Sequence, residues 1–173
     1  MSTSIIILFI LFFGLRLSTL VISIKNEKRL KQAGAREYGA VNSHVLALLH
    51  VVFYFSSLAE GYLDQVQFDR ITIIGILLYV LSMVALFYVI QQLSPIWTVK
   101  LIIAKDHTLN KGALFRYIRH PNYFLNVIPE LLGLVLMMKS YVVLATLFPV
   151  YLISLAVRIV QEEKLMKSKF ADY

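Results

Sequence analysis

Residues 71–90 read ITIIGILLYVLSMVALFYVI, a run without a single charge. At 1.5 Å per residue a helix of this length spans about 30 Å, the thickness of a bilayer's hydrocarbon core. The run therefore reads as a membrane crossing, and the remaining sequence divides around it. Of 173 residues 59% are hydrophobic and 16% charged, with a mean hydropathy of +0.75, which sets the chain apart from soluble domains. Four more apolar stretches occupy residues 4–24, 44–62, 123–138 and 141–157. The last two are short for a crossing and are joined by Lys139 and Ser140 alone, which predicts a tilted helical hairpin. The expected fold is an all-α polytopic bundle of about five transmembrane helices. The start, MSTS, lacks the positive region of a secretory signal, and Arg16 interrupts the first apolar run, so that run is expected to be a retained anchor.

Basic residues set the expected orientation, because they stay on the cytoplasmic side. Lys25, Lys28, Arg29, Lys31 and Arg36 follow the first stretch, and Lys100, Lys105, Lys111, Arg116 and Arg119 follow the third. Arg158, Lys164, Lys167 and Lys169 follow the fifth, whereas the opposite connections hold only Arg70 and Lys139. The N-terminus is thus expected outside and the C-terminus in the cytoplasm of a multi-pass protein of the cell membrane. The net charge of +7 is then explained by topology and contact with anionic membrane lipids, and nucleic-acid binding is excluded. The absence of cysteine excludes disulfides, thiolate catalysis and Cys-based metal sites. Four dispersed histidines give no metal-ligand spacing, so no metal is expected.

The connection 91–122 reads QQLSPIWTVKLIIAKDHTLNKGALFRYIRHPN. It is too apolar for a disordered linker and too interrupted for a span, and long loops in compact proteins are usually functional. It is expected to fold against the bundle. A single domain follows, with residues 1–91 as a three-helix part and 92–173 as the part bearing the site. Pro121 pushes His120 out of helical geometry and suits the first turn of the next helix, so RHPNY reads as a loop-to-helix junction. Free backbone N–H groups there, with Arg116 and Arg119 nearby, suit a carboxylate; equally, such cations snorkel to lipid phosphates. Arg158 and Glu162 lie four apart on one helix face, with Glu163 turned about 100° away; the spacing alone equally describes a surface salt bridge. Glu130 stands in an apolar segment just after Pro129, and a carboxylate there must be paired, hydrogen-bonded or protonated. Seven residues beyond Tyr123, it would lie two helical turns deeper on the same face and line an acceptor cavity. The alternative is an ion pair with Arg16.

WTVK, HTLNKGALFRYIRHPNY and, after a hydrophobic hairpin, RIVQEEKLMKSKFADY together resemble the isoprenylcysteine carboxyl methyltransferase family of integral-membrane enzymes. The resemblance covers residues 94–173, and the distance from His107 to His120 fits the family pattern without a gap. Three positions depart from it: Asn110 stands for a Val, Ala113 for a Gly that here comes one residue earlier as Gly112, and Phe115 for a Tyr. The resemblance implies S-adenosylmethionine as cofactor. It would be held by Lys100, by His107, Thr108, Leu109 and Asn110, by Phe115, and by His120, Pro121, Asn122 and Tyr123. It implies Arg158 and Glu162 at the substrate end, the guanidinium holding an anionic acceptor oriented by the carboxylate. The acceptor would be lipophilic, either prenylated, as a prenylcysteine carboxylate, or a lipid hydroxyl. NYFLNVIPELLG is similar to bacterial members that O-methylate alkylpyrone or alkylresorcinol lipids, which would make Glu130 a catalytic base or hydrogen-bond anchor. A membrane sterol-type reductase using a nicotinamide cofactor and a non-enzymatic lipid-binding scaffold are the competing readings.

Overall fold

The structure, a computed structural model, describes residues 1–103 and 112–169. Among the described residues, four helices are long and apolar enough to cross a membrane: α1 (Thr3–Gln32), α2 (Ala40–Leu63), α3 (Arg70–Leu93) and α6 (Tyr141–Lys169). A shorter apolar segment runs over Asn122–Met138, as a π-helical turn, Asn122–Val127, continuing into α5, Ile128–Met138. A short helix α4 (Ala113–Tyr117) precedes it, and two three-residue strands, β1 (Arg36–Tyr38) and β2 (Leu101–Ile103), pair antiparallel with Glu37 opposite Ile102. The fold is an all-α helical bundle carrying this small ribbon at one end.

The last helix corrects the expectation of two short final segments. α6 does not stop near Val157 but runs on to Lys169. Charged residues end the apolar window there, yet Gln, Glu, Lys, Leu and Met are good helix formers, so the helix continues after the hydrophobicity stops. For the same reason α1 passes Ile24 and reaches Gln32.

Backbones touch where α3 crosses α5. A Cβ on Gly75 would lie 2.7 Å from the Gly133 carbonyl oxygen, and one on Gly133 would lie 2.7 Å from the Tyr79 nitrogen. Small residues permit this approach, and in a bilayer close packing replaces the missing hydrophobic drive between helices. The first helix docks differently, through rings: Phe12 stacks on Tyr79 at 4.2 Å between centroids, and Phe13 lies 5.8 Å from Tyr54.

Charged side chains close the end of the bundle away from the ribbon. Asp69 caps α3 by accepting from the Thr72 N–H at 3.0 Å, while its other oxygen lies 2.6 Å from Lys139 Nζ. Lys139 first, then the Thr72 amide, hold the Asp69 carboxyl down at about 2. Glu60 caps α6 by accepting from the N–H groups of Val142 and Val143 at 2.8 and 2.9 Å. At the opposite end the connection after α3 folds against α1, as expected. Trp97 is buried, Asn26 donates to its carbonyl at 2.8 Å, and the Val99 N–H donates to Ser23 at 2.9 Å.

Candidate functional site

Tyr151, Leu155 and Arg158 recur at helical spacing and form the buried stripe of α6. Arg158 is 3% exposed, and three of its N–H groups are engaged by three separate parts of the chain. Nη1 donates to Ser43 Oγ of α2 at 2.8 Å, Nη2 to the Val99 carbonyl at 3.1 Å, and Nε to the Tyr123 hydroxyl at 3.3 Å. That hydroxyl in turn donates to Glu162 Oε2 at 2.7 Å. Arg158 and Glu162 therefore meet through Tyr123 rather than as a plain surface pair. A helix spacing of four brings two side chains near each other, but the aromatic hydroxyl from the π turn lies between them.

His120 is 6% exposed and sits between two carboxylates. Nδ1 is 3.4 Å from Glu162 Oε1 and Nε2 is 3.4 Å from Glu163 Oε1, while the ring stacks on Tyr123 at 5.7 Å. Burial opposes the charged imidazolium, but Glu162 and then Glu163 outweigh it and hold the pKa of His120 above its usual value. Glu163 was expected to point away. A difference of about 100° on the helix is spanned because the imidazole offers nitrogens on opposite sides and each Glu reaches one. Lys167 and Arg119 also approach Glu163, at 3.1 and 3.9 Å.

The junction itself forms as read, with Pro121 at φ −62° leading into the π turn. Its N–H groups are not all open, since those of Tyr123 and Phe124 donate to the His120 carbonyl at 3.1 and 3.2 Å. Asn122 is half-buried at the start of the turn, and its Oδ1 lies 3.4 Å from Asn126 Nδ2. Phe115 lies half-buried on α4. Lys100 is tied elsewhere: its Nζ is 2.8 Å from Glu27 Oε1 and 3.7 Å from Glu37 Oε1, a bridge between α1 and the ribbon that Lys31 shares. His107, Thr108, Leu109 and Asn110 lie outside the described residues.

Glu130 belongs to a second cluster. It is fully buried, with Arg16 Nε and His50 Nε2 each 3.3 Å from Oε1 and the Tyr54 hydroxyl donating to the same oxygen. With the Tyr54 proton on Glu130, the one Tyr79 hydroxyl proton is shared between the Tyr54 oxygen at 2.7 Å and the Phe12 carbonyl at 3.2 Å, and His50 Nδ1 meets the Tyr151 hydroxyl at 3.2 Å. The ion pair with Arg16 is thus present. Between Tyr123 and Glu130 the π turn closes i→i+5 rather than i→i+4, so each of its residues advances less than in an α-helix. Tyr123 touches Arg158 and Glu162, whereas Glu130 touches Arg16, His50 and Tyr54. On α6 the two levels are marked by Arg158 and Tyr151, seven residues or about 10 Å apart along the helix axis.

The profile of the isoprenylcysteine carboxyl methyltransferase (ICMT) family matches residues 73–168, the stretch that holds His120, Tyr123, Glu130, Arg158 and Glu162. The chain belongs to this family. It is accordingly a multi-pass membrane protein of a methyltransferase family. Among its relatives, an uncharacterized protein of Haemophilus influenzae (strain ATCC 51907 / DSM 11121 / KW20 / Rd) is 43% identical over 95% of both chains. The uncharacterized protein YpbQ of Bacillus subtilis (strain 168) is 28% identical over 88% of this chain and 90% of its own length. No solved structure matches. Ser43, which sequence reasoning missed, lies outside the matched stretch of this methyltransferase family, and nothing in its local sequence marks it. Glu163 was beside a recognised residue and was dismissed on helical phase alone.

Proposed function

We propose that this protein transfers a methyl group from S-adenosylmethionine to an oxygen of a lipophilic acceptor, at the cytoplasmic face of the cell membrane. The observation that carries the reading is the convergence of His120, Tyr123, Arg158 and Glu162 within the stretch that matches the methyltransferase family. The donor set suits a cationic sulfonium with an amino-acid end. Two carboxylates flank a stacked aromatic pair, and His120 Nδ1 makes no hydrogen bond among the described residues. When bound, the sulfonium supplies an electrophilic methyl with a good leaving group; His120, Tyr123, Phe115 and the residues around His107 would hold it.

Arg158 is the anion holder of this reading. Ser43, Val99 and Tyr123 fix its guanidinium, so it meets an acceptor oxygen with little reorganisation. A carboxylate acceptor needs no base, because the new O–CH₃ bond forms as the S–CH₃ bond breaks and the charges cancel. A hydroxyl acceptor also releases a proton, and Glu162 is the acid–base group beside Arg158. A general base must lie within hydrogen-bond reach of its proton, so Glu130, about 10 Å deeper, does not serve an oxygen held at Arg158. It acts as an anchor.

Calorimetric titration of the purified protein with S-adenosylhomocysteine and with NADPH tests the donor. Binding of the first and not the second supports methyl transfer; the reverse pattern would turn the reading to a reductase, and binding of neither to a lipid scaffold.

A further inference from the structure

Two of the limbs that hold the Arg158 guanidinium lead into the β1–β2 ribbon. On one side β1 ends at Tyr38, Gly39 turns the chain at φ 58°, and α2 begins against α6. Asn42 donates to the Ser154 carbonyl at 3.1 Å, Ser43 Oγ accepts from Arg158 Nη1 at 2.8 Å, and a Cβ on Gly39 would collide with Gln161 Oε1. Ser154, Arg158 and Gln161 recur at i, i+4 and i+7, so the start of α2 lies along one stripe of α6. Ser43 Oγ donates in turn to the Gly39 carbonyl at 3.1 Å, which commits its proton there and leaves its lone pairs to the guanidinium. On the other side Val99 stands just before β2. Its carbonyl accepts from Arg158 Nη2 at 3.1 Å, and its N–H donates to Ser23 of α1 at 2.9 Å.

Lys100 ties these two limbs together. Its backbone nitrogen belongs to the same planar peptide as the Val99 carbonyl, so anchoring its side chain restrains the direction of that carbonyl. Its Nζ lies 2.8 Å from Glu27 Oε1 on α1 and 3.7 Å from Glu37 Oε1 on β1, and Lys31 meets the same two acids at 2.7 and 2.5 Å. Glu37 stands opposite Ile102 in the ribbon and just ahead of Gly39. One cation thereby reaches both the peptide that accepts from Nη2 and the strand that leads to Ser43. The four side chains remain 15–43% exposed, and ion pairs so open to water contribute little to stability. The consequence of the cluster is geometric.

We propose that Lys100, with Glu27 and Glu37, is a positioning residue for Arg158: the bridge closes the ribbon so that Ser43 and the Val99 carbonyl present the guanidinium to the acceptor oxygen in one orientation. This moves Lys100 from the cofactor end of the site, where the family resemblance would put it, to the acceptor end, and it touches neither ligand. The inference rests on the methyltransferase reading for its effect on turnover, and on the contacts alone for the coupling of Lys100 to Arg158.

The test uses the full chain in phosphatidylcholine nanodiscs. Single-turnover transfer from radiolabelled S-adenosylmethionine to N-acetylfarnesylcysteine, a carboxylate probe, is measured beside calorimetric binding of S-adenosylhomocysteine. NMR of nitrogen-15-labelled arginine follows Arg158 without any acceptor, its signals assigned by their loss in Arg158→Lys. Nη groups held by Ser43 and Val99 rotate slowly and give resolved signals in the wild type. Lys100→Met and Glu27→Gln should each average those signals and slow transfer about tenfold, while S-adenosylhomocysteine affinity stays within about twofold. The double variant should be no slower than the slower single, because both substitutions remove one bridge. Lys100→Arg keeps the cation and should stay within about threefold of wild type. A loss of S-adenosylhomocysteine affinity of about tenfold in folded Lys100→Met would put Lys100 at the cofactor and overturn the proposal, as would unchanged Nη signals in that variant. Without cofactor binding or transfer by the wild type the methyltransferase reading fails, and the Nη signals alone decide the coupling.

Discussion

Tyr123 turns two separate charges into one unit. Its hydroxyl accepts from Arg158 and donates to Glu162, and its ring stacks on His120. Tyr123→Phe keeps the ring and removes both hydrogen bonds. It should lower the methyl-transfer rate about tenfold or more while S-adenosylhomocysteine affinity changes little, whereas Tyr123→Ala, which also removes the stacked ring, should weaken both. Single-turnover kinetics with calorimetry separates the two, and equal rates for wild type and Tyr123→Phe would show that the hydroxyl is passive. His120 gives a pH prediction. Its folded pKa is raised by Glu162 and Glu163 against the opposing effect of burial. The stabilisation is therefore complete below the unfolded value, about 6.5, and is lost as pH rises through the higher folded value. The difference in Tm between wild type and His120→Gln should be largest near pH 6 and shrink toward alkaline pH. A difference independent of pH would mean that the ring does not titrate between the two carboxylates. Motif spacing made His120, Arg158 and Glu162 legible in the sequence. The Tyr123 bridge, Ser43 and the Val99 carbonyl were not, because each depends on which strand, loop or turn tertiary packing brings alongside.

Elements were legible where hydrophobicity alone decides and obscure where it does not. The uncharged run in α3 was read almost to the residue, but α6 was cut short because its charged C-terminal part is helical by propensity rather than apolarity. The π turn left no mark that an α-helical phase argument could detect. The α3–α5 crossing provides the prediction at this scale. Gly75→Ala and Gly133→Ala each press a methyl into facing backbone, at 2.4 Å from the Met137 nitrogen and 2.7 Å from the Tyr79 nitrogen respectively. Backbone cannot swing aside as a flexible side chain does, so each should cost about 1–3 kcal/mol. Gly14 in α1 has nothing within 4 Å of its would-be Cβ, so Gly14→Ala should be neutral or gain up to about 1 kcal/mol from helix propensity. Thermal unfolding of the three variants in one detergent provides the measurement; equal effects at Gly14 and Gly75 would mean that the crossing is not close-packed.

Across the whole molecule, Arg16 and Glu130 join the first helix to the fifth. The pair couples a segment outside the family-matched stretch to the centre of that stretch. Basic residues crowd the ends that carry Arg158 and the ribbon, so reporter fusions after Lys169 should be active in the cytoplasm, and an external signal would put the site on the wrong side for a cytosolic methyl donor. The ion pair tests how much of the bundle's assembly depends on Glu130. Arg16→Leu leaves the carboxylate without its cation and should destabilise the bundle by about 2 kcal/mol, less than for a soluble buried pair because helices separated in a bilayer find other polar partners. Arg16→Leu with Glu130→Leu removes both charges and should recover most of that loss, since no unpaired ion remains. The double variant should still bind S-adenosylhomocysteine, because the cluster at His120 and Tyr123 is about 10 Å away along α6. If stability does not recover, Tyr54 and His50 depend on Glu130 as their partner, and the cluster is held by its hydrogen bonds more than by its ion pair.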